Sequence, residues 1–191
     1  LSRDDEVSSS TIYRPDEDYS EQARARIVEM LSSLFELVAS EADTTELERQ
    51  ACAFVARFVD VDRVILMQDE GEGTELTVKS QWLADGKAQS QSRERLRLST
   101  TIVGQVLRDR SSVLVANTLN DPRFADQGSI IHLDLKSAMA APLFDNQRVR
   151  GILYVDCSRP QVQYAAEDLQ VLTATANAVA VKLRTLTLEK E

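Results

Sequence analysis

Residues 136–156 read Lys-Ser-Ala-Met-Ala-Ala-Pro-Leu-Phe-Asp-Asn-Gln-Arg-Val-Arg-Gly-Ile-Leu-Tyr-Val-Asp. Two apolar runs, Ala138 to Phe144 and Val149 to Val155, flank the polar stretch Asp145-Asn146-Gln147-Arg148, the pattern of a β-hairpin. Both runs are apolar at successive positions rather than at alternate ones, so both faces of each strand must be covered. The hairpin therefore belongs in the middle of a sheet with a layer on either side. Within it, Pro142 has no N–H to give a ladder and calls for a bulge or an unpaired position. Gly151 points to a close backbone approach.

The rest of the chain supplies the layers. Residues 1–20 are rich in Ser, Asp and Glu, contain Pro15, and have too few bulky apolar side chains to fold alone, so they read as an acidic linker. From Glu21 to Ser40, Ile27, Val28, Met30, Leu31, Leu34, Phe35, Leu37 and Val38 recur at three- and four-residue steps, which predicts a helix. Asp43 or Thr44 caps a second helix through Phe58. Val61 to Met67, Thr74 to Leu83 and Arg93 to Leu98 read as strands joined by Gly-containing turns. Thr100 opens a short helix carrying Ile102, Val103, Val106 and Leu107, and Val113 to Ala116 is a further short strand. Residues 117–135 form a long irregular segment, of a length that usually carries function or some helix. From Ala165 a last amphipathic helix places Leu169, Leu172, Ala176, Val179, Leu183 and Leu186 on one stripe.

The succession of helices, strands, long segment, hairpin and final helix resembles the GAF domains of bacterial-type multidomain signalling proteins. Ser137, Pro142-Leu143, the polar turn and Gly151-Ile152-Leu153 are similar to the hairpin that closes that family's sheet. The resemblance covers residues 21–191. It implies an α+β, GAF/PAS-like fold, with an antiparallel sheet of about six strands flanked by helices on both sides. It also implies a regulatory, non-enzymatic module that senses a small molecule and controls an output domain outside this chain. The acidic lead-in is similar to linkers that join FHA and GAF modules.

Bulk properties narrow the function. A formal charge of -9 opposes binding to the phosphate backbone of nucleic acid. No apolar run is long enough to span a bilayer. The chain starts at Leu1 without a basic-then-apolar leader and reads as a piece of a longer protein. Cys52 and Cys157 are far apart in sequence and form neither a disulfide framework nor a zinc motif, which points to a reducing cytoplasm.

Candidate chemistry is sparse. With His132 as its one histidine, the chain lacks the multi-histidine metal motifs, and no metal ligand set is assigned. The ligand pocket is expected between the sheet and residues 99–135. Trp82, Phe124 and Tyr154 are candidates to stack on a planar ligand, with ordinary packing as the other reading, and Thr100, His132 and Ser137 are the candidate polar groups. The free N–H groups of the Thr100 helix would suit a phosphate. The cyclic-nucleotide set of GAF domains, N-K-F-D-E, is not matched by Asn120-Asp121-Pro122-Arg123-Phe124-Ala125-Asp126, so that ligand is unsupported and the cofactor stays unknown. GAF-like methionine sulfoxide reductases and bilin-binding GAF domains use cysteines, and residues 117–135 contain none. The alternatives are a redox sensor or enzyme working through Cys157 or a haem on His132, and a ligand-free dimerisation module.

The two terminal helices have more apolar positions than one sheet contact needs. Ile27, Leu31 and Leu34 of the first, with Leu172, Val179 and Leu183 of the last, are therefore expected to form a homodimer seam.

Overall fold

The computed structural model describes residues 17–69, 76–84, 100–116 and 136–189. Helix α1 spans Glu17–Ala39 and α2 spans Thr44–Phe58, followed by strands β1, Arg63–Asp69, and β2, Leu76–Leu83. Then come α3, Thr100–Asp109, β3, Val113–Val115, β4, Ser137–Asp145, β5, Arg148–Cys157, and α4, Ala166–Leu188. Among the described residues the sheet has five antiparallel strands in the order β2-β1-β5-β4-β3. The α+β class and the antiparallel sheet are those expected. The strand expected at Arg93 to Leu98 lies outside the described residues, and α1 begins at Glu17 rather than at residue 21.

The hairpin is the centre of the sheet. Residues 137–143 of β4 and 151–157 of β5 are buried without a break, because side chains on both faces meet a covering layer. Asn146 makes the turn at φ 55°, a left-handed conformation that Asn adopts more readily than most residues. Pro142 lies past the end of β3, which pairs only with Ala138 to Ala140.

One face of the sheet carries Val64, Leu66, Met139, Leu153 and Val155, packed with Leu47 and Val55 of α2 and with Leu172, Ala176 and Val179 of α4. The other face carries Ile65, Met67, Ala138, Ala140, Ile152 and Tyr154 beneath Ile102 and Val106 of α3. Each fully buried side chain of this kind contributes about 1.5–3 kcal/mol. Asp43 caps α2 by accepting from the Glu46 N–H at 2.9 Å, and the Asp168 carboxylate accepts from the Ala165 N–H at 2.9 Å at the start of α4. No described helix is long and apolar enough to cross a membrane.

The helices run in definite directions. Arg26 donates to the Phe58 carbonyl at 3.0 Å and Arg57 pairs with Glu29 at 2.5 Å, so α1 and α2 are antiparallel. Gln68 at the end of β1 donates to Glu48 near the start of α2 at 3.0 Å, and Arg184 near the end of α4 donates to Asn146 in the hairpin turn at 2.7 Å. Both α1 and α4 therefore run toward the hairpin turn.

Two ladders are interrupted near that end. Leu66 pairs with Ser80 and Met67 with Val78, leaving Lys79 as an extra residue of β2. Leu143 pairs with Gly151 and Phe144 with Val149, leaving Arg150 as an extra residue of β5. Such bulges reverse the facing of the residues that follow and re-aim the extra side chain.

Gly151 is the close approach foreseen in the sequence. A Cβ there would stand 2.4 Å from the Met67 carbonyl oxygen, a backbone atom of the neighbouring strand that cannot swing aside. Gly151→Ala is expected to cost about 1–3 kcal/mol through local overpacking, read as a lower urea midpoint at unchanged m-value. A variant as stable as the parent would show that β1 and β5 separate freely here.

Candidate functional site

Strand alternation places Tyr154 and Asp156 of β5 on the α3 face of the sheet, together with Arg63, Ile65 and Met67 of β1. Ala138 and Ala140 of β4 add little height, so the middle of this face is low and apolar beside α3. Its polar end is built by Arg63 and Asp156, which are opposite each other in the β1–β5 ladder. Arg63 Nε donates to Asp156 Oδ2 at 3.0 Å and Nη2 also donates to that oxygen. Side-chain exposures of 14% and 5% make this a buried ion pair, whose geometry matters because both charges have left water.

Tyr154 lies directly beside the pair. Its ring is fully buried, and its hydroxyl has no partner in hydrogen-bond geometry among the described residues, although Asp156 and Arg63 are near enough to act on it. Burial, reinforced by the Asp156 carboxylate, pushes the phenol well above its ordinary range, so the group stays a neutral donor and acceptor. Burial also raises the Asp156 carboxyl, against the opposing pull of Arg63. An apolar floor ending in an unmatched hydroxyl and an ion pair suits a small molecule with an apolar body and one polar edge.

The structure separates the residues that the sequence had grouped. Tyr154 is on the α3 face as expected. Trp82 packs instead into the helix-covered core, opposite Val64, because the bulge at Lys79 reverses the facing of β2 after Leu76. Ser137 pairs with Cys157 on that same helix-covered face, and its hydroxyl donates to the Val162 carbonyl at 3.1 Å, tying down the chain that leads to α4. Neither is beside Tyr154. Thr100 opens α3, with its side chain outside the described residues, as are Phe124 and His132. Residues 117–135, over which the ligand pocket is expected, lie outside the described residues.

Both cysteines are buried. Burial pushes the Cys52 thiol up to about 12, the behaviour of an inert core thiol. Cys157, the candidate for redox chemistry, is not in an exposed position. It is instead the final residue of β5, wholly covered, and burial raises its pKa, which disfavours the reactive thiolate. Sequence reasoning missed Arg63 and Asp156. The available signal was a charge at each end of otherwise apolar strand runs, Asp156 sharing its parity with Tyr154.

A profile of the GAF domain family matches residues 43–183. The chain belongs to that family. GAF domains are generally sensory or regulatory. The GAF fold is shared with the free methionine-R-sulfoxide reductase from Neisseria meningitidis, solved with its substrate, at 16% identity and TM-score 0.64, covering 93% of this chain and 96% of that one. It is shared equally with the GAF domain of an Acinetobacter phosphoenolpyruvate-protein phosphotransferase, at 16% identity and TM-score 0.64 over 86% and 95% of the two chains. The GAF domain of a putative sensor histidine kinase from Pseudomonas syringae pv. tomato matches at 14% identity and TM-score 0.58 over 92% and 96%. At these identities the likeness is one of fold. No curated protein matches the chain.

Proposed function

We propose that this GAF domain is a non-enzymatic regulatory module of a cytoplasmic signalling protein. It senses a small molecule on the α3 face of the sheet and acts as a homodimer on an output domain elsewhere in its parent protein. The observation that carries the reading is the Tyr154 hydroxyl, buried beside Arg63–Asp156 without a partner in hydrogen-bond geometry among the described residues. Leaving such a group unmatched costs about 1–3 kcal/mol, which a ligand's polar edge offsets. The burial of both cysteines does not favour a thiol enzyme.

The seam proposed for this dimer lies on α1 rather than on Leu172, Val179 and Leu183. Leu172 and Val179 are fully buried against the sheet of their own chain, and Leu34 and Leu183 pack at the rim of the same core. Among the described residues of the two terminal helices, the large apolar side chains left in solvent are Ile27, Val28, Leu31 and Phe35 on α1, the last 74% exposed, with Val181 and Leu188 on α4. Ile27, Leu31 and Phe35 follow one another at four-residue steps and form a single stripe, the feature of a helix that packs against a partner.

Native mass spectrometry of the purified protein tests both parts. A retained small molecule that is lost in Tyr154→Ala, on a dimer that Leu31→Glu with Phe35→Glu converts to a folded monomer, is the expected result. A dimer with no retained mass and no ligand-induced change would leave a ligand-free dimerisation module. A monomer at high micromolar concentration would remove the seam.

A further inference from the structure

A second cleft lies on the opposite face of the sheet from Tyr154, at the hairpin end, between the turn and the last two turns of α4. Its volume is about 570 Å³, within the range of small-molecule sites. Its basic lining converges from three elements: Lys79 from β2, Arg150 from β5 and Arg184 from α4. Lys79 and Arg150 are the two extra residues of the two β-bulges. In a regular ladder they would follow the facing of their strands, and two separate irregularities instead deliver both to one cleft. In a chain of net charge -9, that convergence runs against the general balance of charge.

The carboxylates nearby do not use up the donors of the two guanidinium groups. Arg150 stands 3.7 Å from Asp69 and 3.8 Å from Asp145, ion-pair contacts too long for hydrogen bonds, and it makes no hydrogen bond among the described residues. The Arg184 side chain is 3.7 Å from Asp145 and, among the described residues, donates only to Asn146. A guanidinium presents five N–H donors in a fork that matches an oxyanion in two-point fashion. Beside these heads, Leu143 and Leu183 give the cleft an apolar wall.

We propose that this cleft binds a small organic oxyanion, a phosphate or carboxylate head on an apolar or aromatic body, with Arg150 and Arg184 gripping the head. The site is separate from the α3-face site and does not depend on it. Because Arg150 belongs to the hairpin and Arg184 to α4, a bound oxyanion bridges the two and strengthens the hold of the sheet on the end of that helix.

The test is titration of the isotope-labelled protein with phenyl phosphate, inorganic phosphate and phenol, followed by amide chemical shifts. Phenyl phosphate is expected to give saturable shifts at Gln68, Asp69, Arg150 and Leu183, with inorganic phosphate weaker at the same residues and Tyr154 unmoved. Arg150→Gln and Arg184→Gln, both on half-exposed side chains and checked for fold by circular dichroism, should each weaken phenyl phosphate by roughly tenfold or more. The proposal is overturned by the absence of saturable shifts, by shifts unchanged in both variants, by shifts centred on Tyr154, or by phenol binding as well as phenyl phosphate.

Discussion

Leu172→Glu combined with Val179→Glu is expected to unfold the domain rather than to separate a dimer. Both side chains are fully buried, in the same core as Leu153 and Val155 of β5 and Val55 of α2, with no route to solvent for a carboxylate. Even the mild replacement Leu172→Ala should cost about 2–5 kcal/mol through lost burial and the cavity left behind. That is a large share of the roughly 5–15 kcal/mol by which domains of this size are stable. A buried, unpaired carboxylate is worse than a cavity. The expected readings are loss of the cooperative thermal transition for the double Glu variant and a lowered urea midpoint for Leu172→Ala. A double Glu variant that melts cooperatively as a monomer would mean that α4 is not held on the sheet as described.

Removing one partner of the Arg63–Asp156 pair should have the next largest effect. Asp156→Ala leaves a guanidinium in a place where only 14% of its side chain reaches solvent, and loss of one member of such a pair costs about 3–5 kcal/mol. Replacing both, as Arg63→Met with Asp156→Leu, should recover most of that loss, because apolar groups of similar size need no partner. The pH dependence follows from the direction of the carboxyl shift. Burial raises the Asp156 pKa, so its share of stability is complete below the unfolded carboxyl value, about 3.9, and is lost as pH rises through the folded value. Neutral-pH stability then rests on Arg63 holding the charged form. Urea midpoints of the single and double variants across the acid-to-neutral range check this. A single variant as stable as the double one would show that the pair is not desolvated.

The hairpin was legible in the sequence because two unbroken apolar runs around a polar turn have few other ways to be covered, and β4 and β5 are buried along their length as that requires. The same property hid which residue faces which way. Where both faces are apolar, pattern carries no parity, so Ser137 and Tyr154 looked like neighbours and are on opposite faces. Trp82 was misplaced for a different reason: the bulge at Lys79 shifts the facing by one residue, and nothing in Thr-Val-Lys-Ser announces it. For the helices, periodicity identified the stripes without showing what covers them. In α4 the stripe meets the sheet, whereas the outer stripe of α1 meets solvent. Arg63 and Asp156 escaped notice because strand-end charges are ordinarily solvated, and only the ladder register brings the two together.

The central sheet is one backbone thick, and its two coats are made from the same few strands. Tyr154, on the α3 side, is bonded in sequence to Leu153 and Val155, which belong to the core holding α4. Pleating makes such neighbours a rigid lever with its pivot in the strand, so a tilt of β5 that opens space on one surface must press into the other. Along β5 the surface beneath α3 and the core that holds α4 are then a single peptide unit apart, and no relay of intervening side chains lies between them.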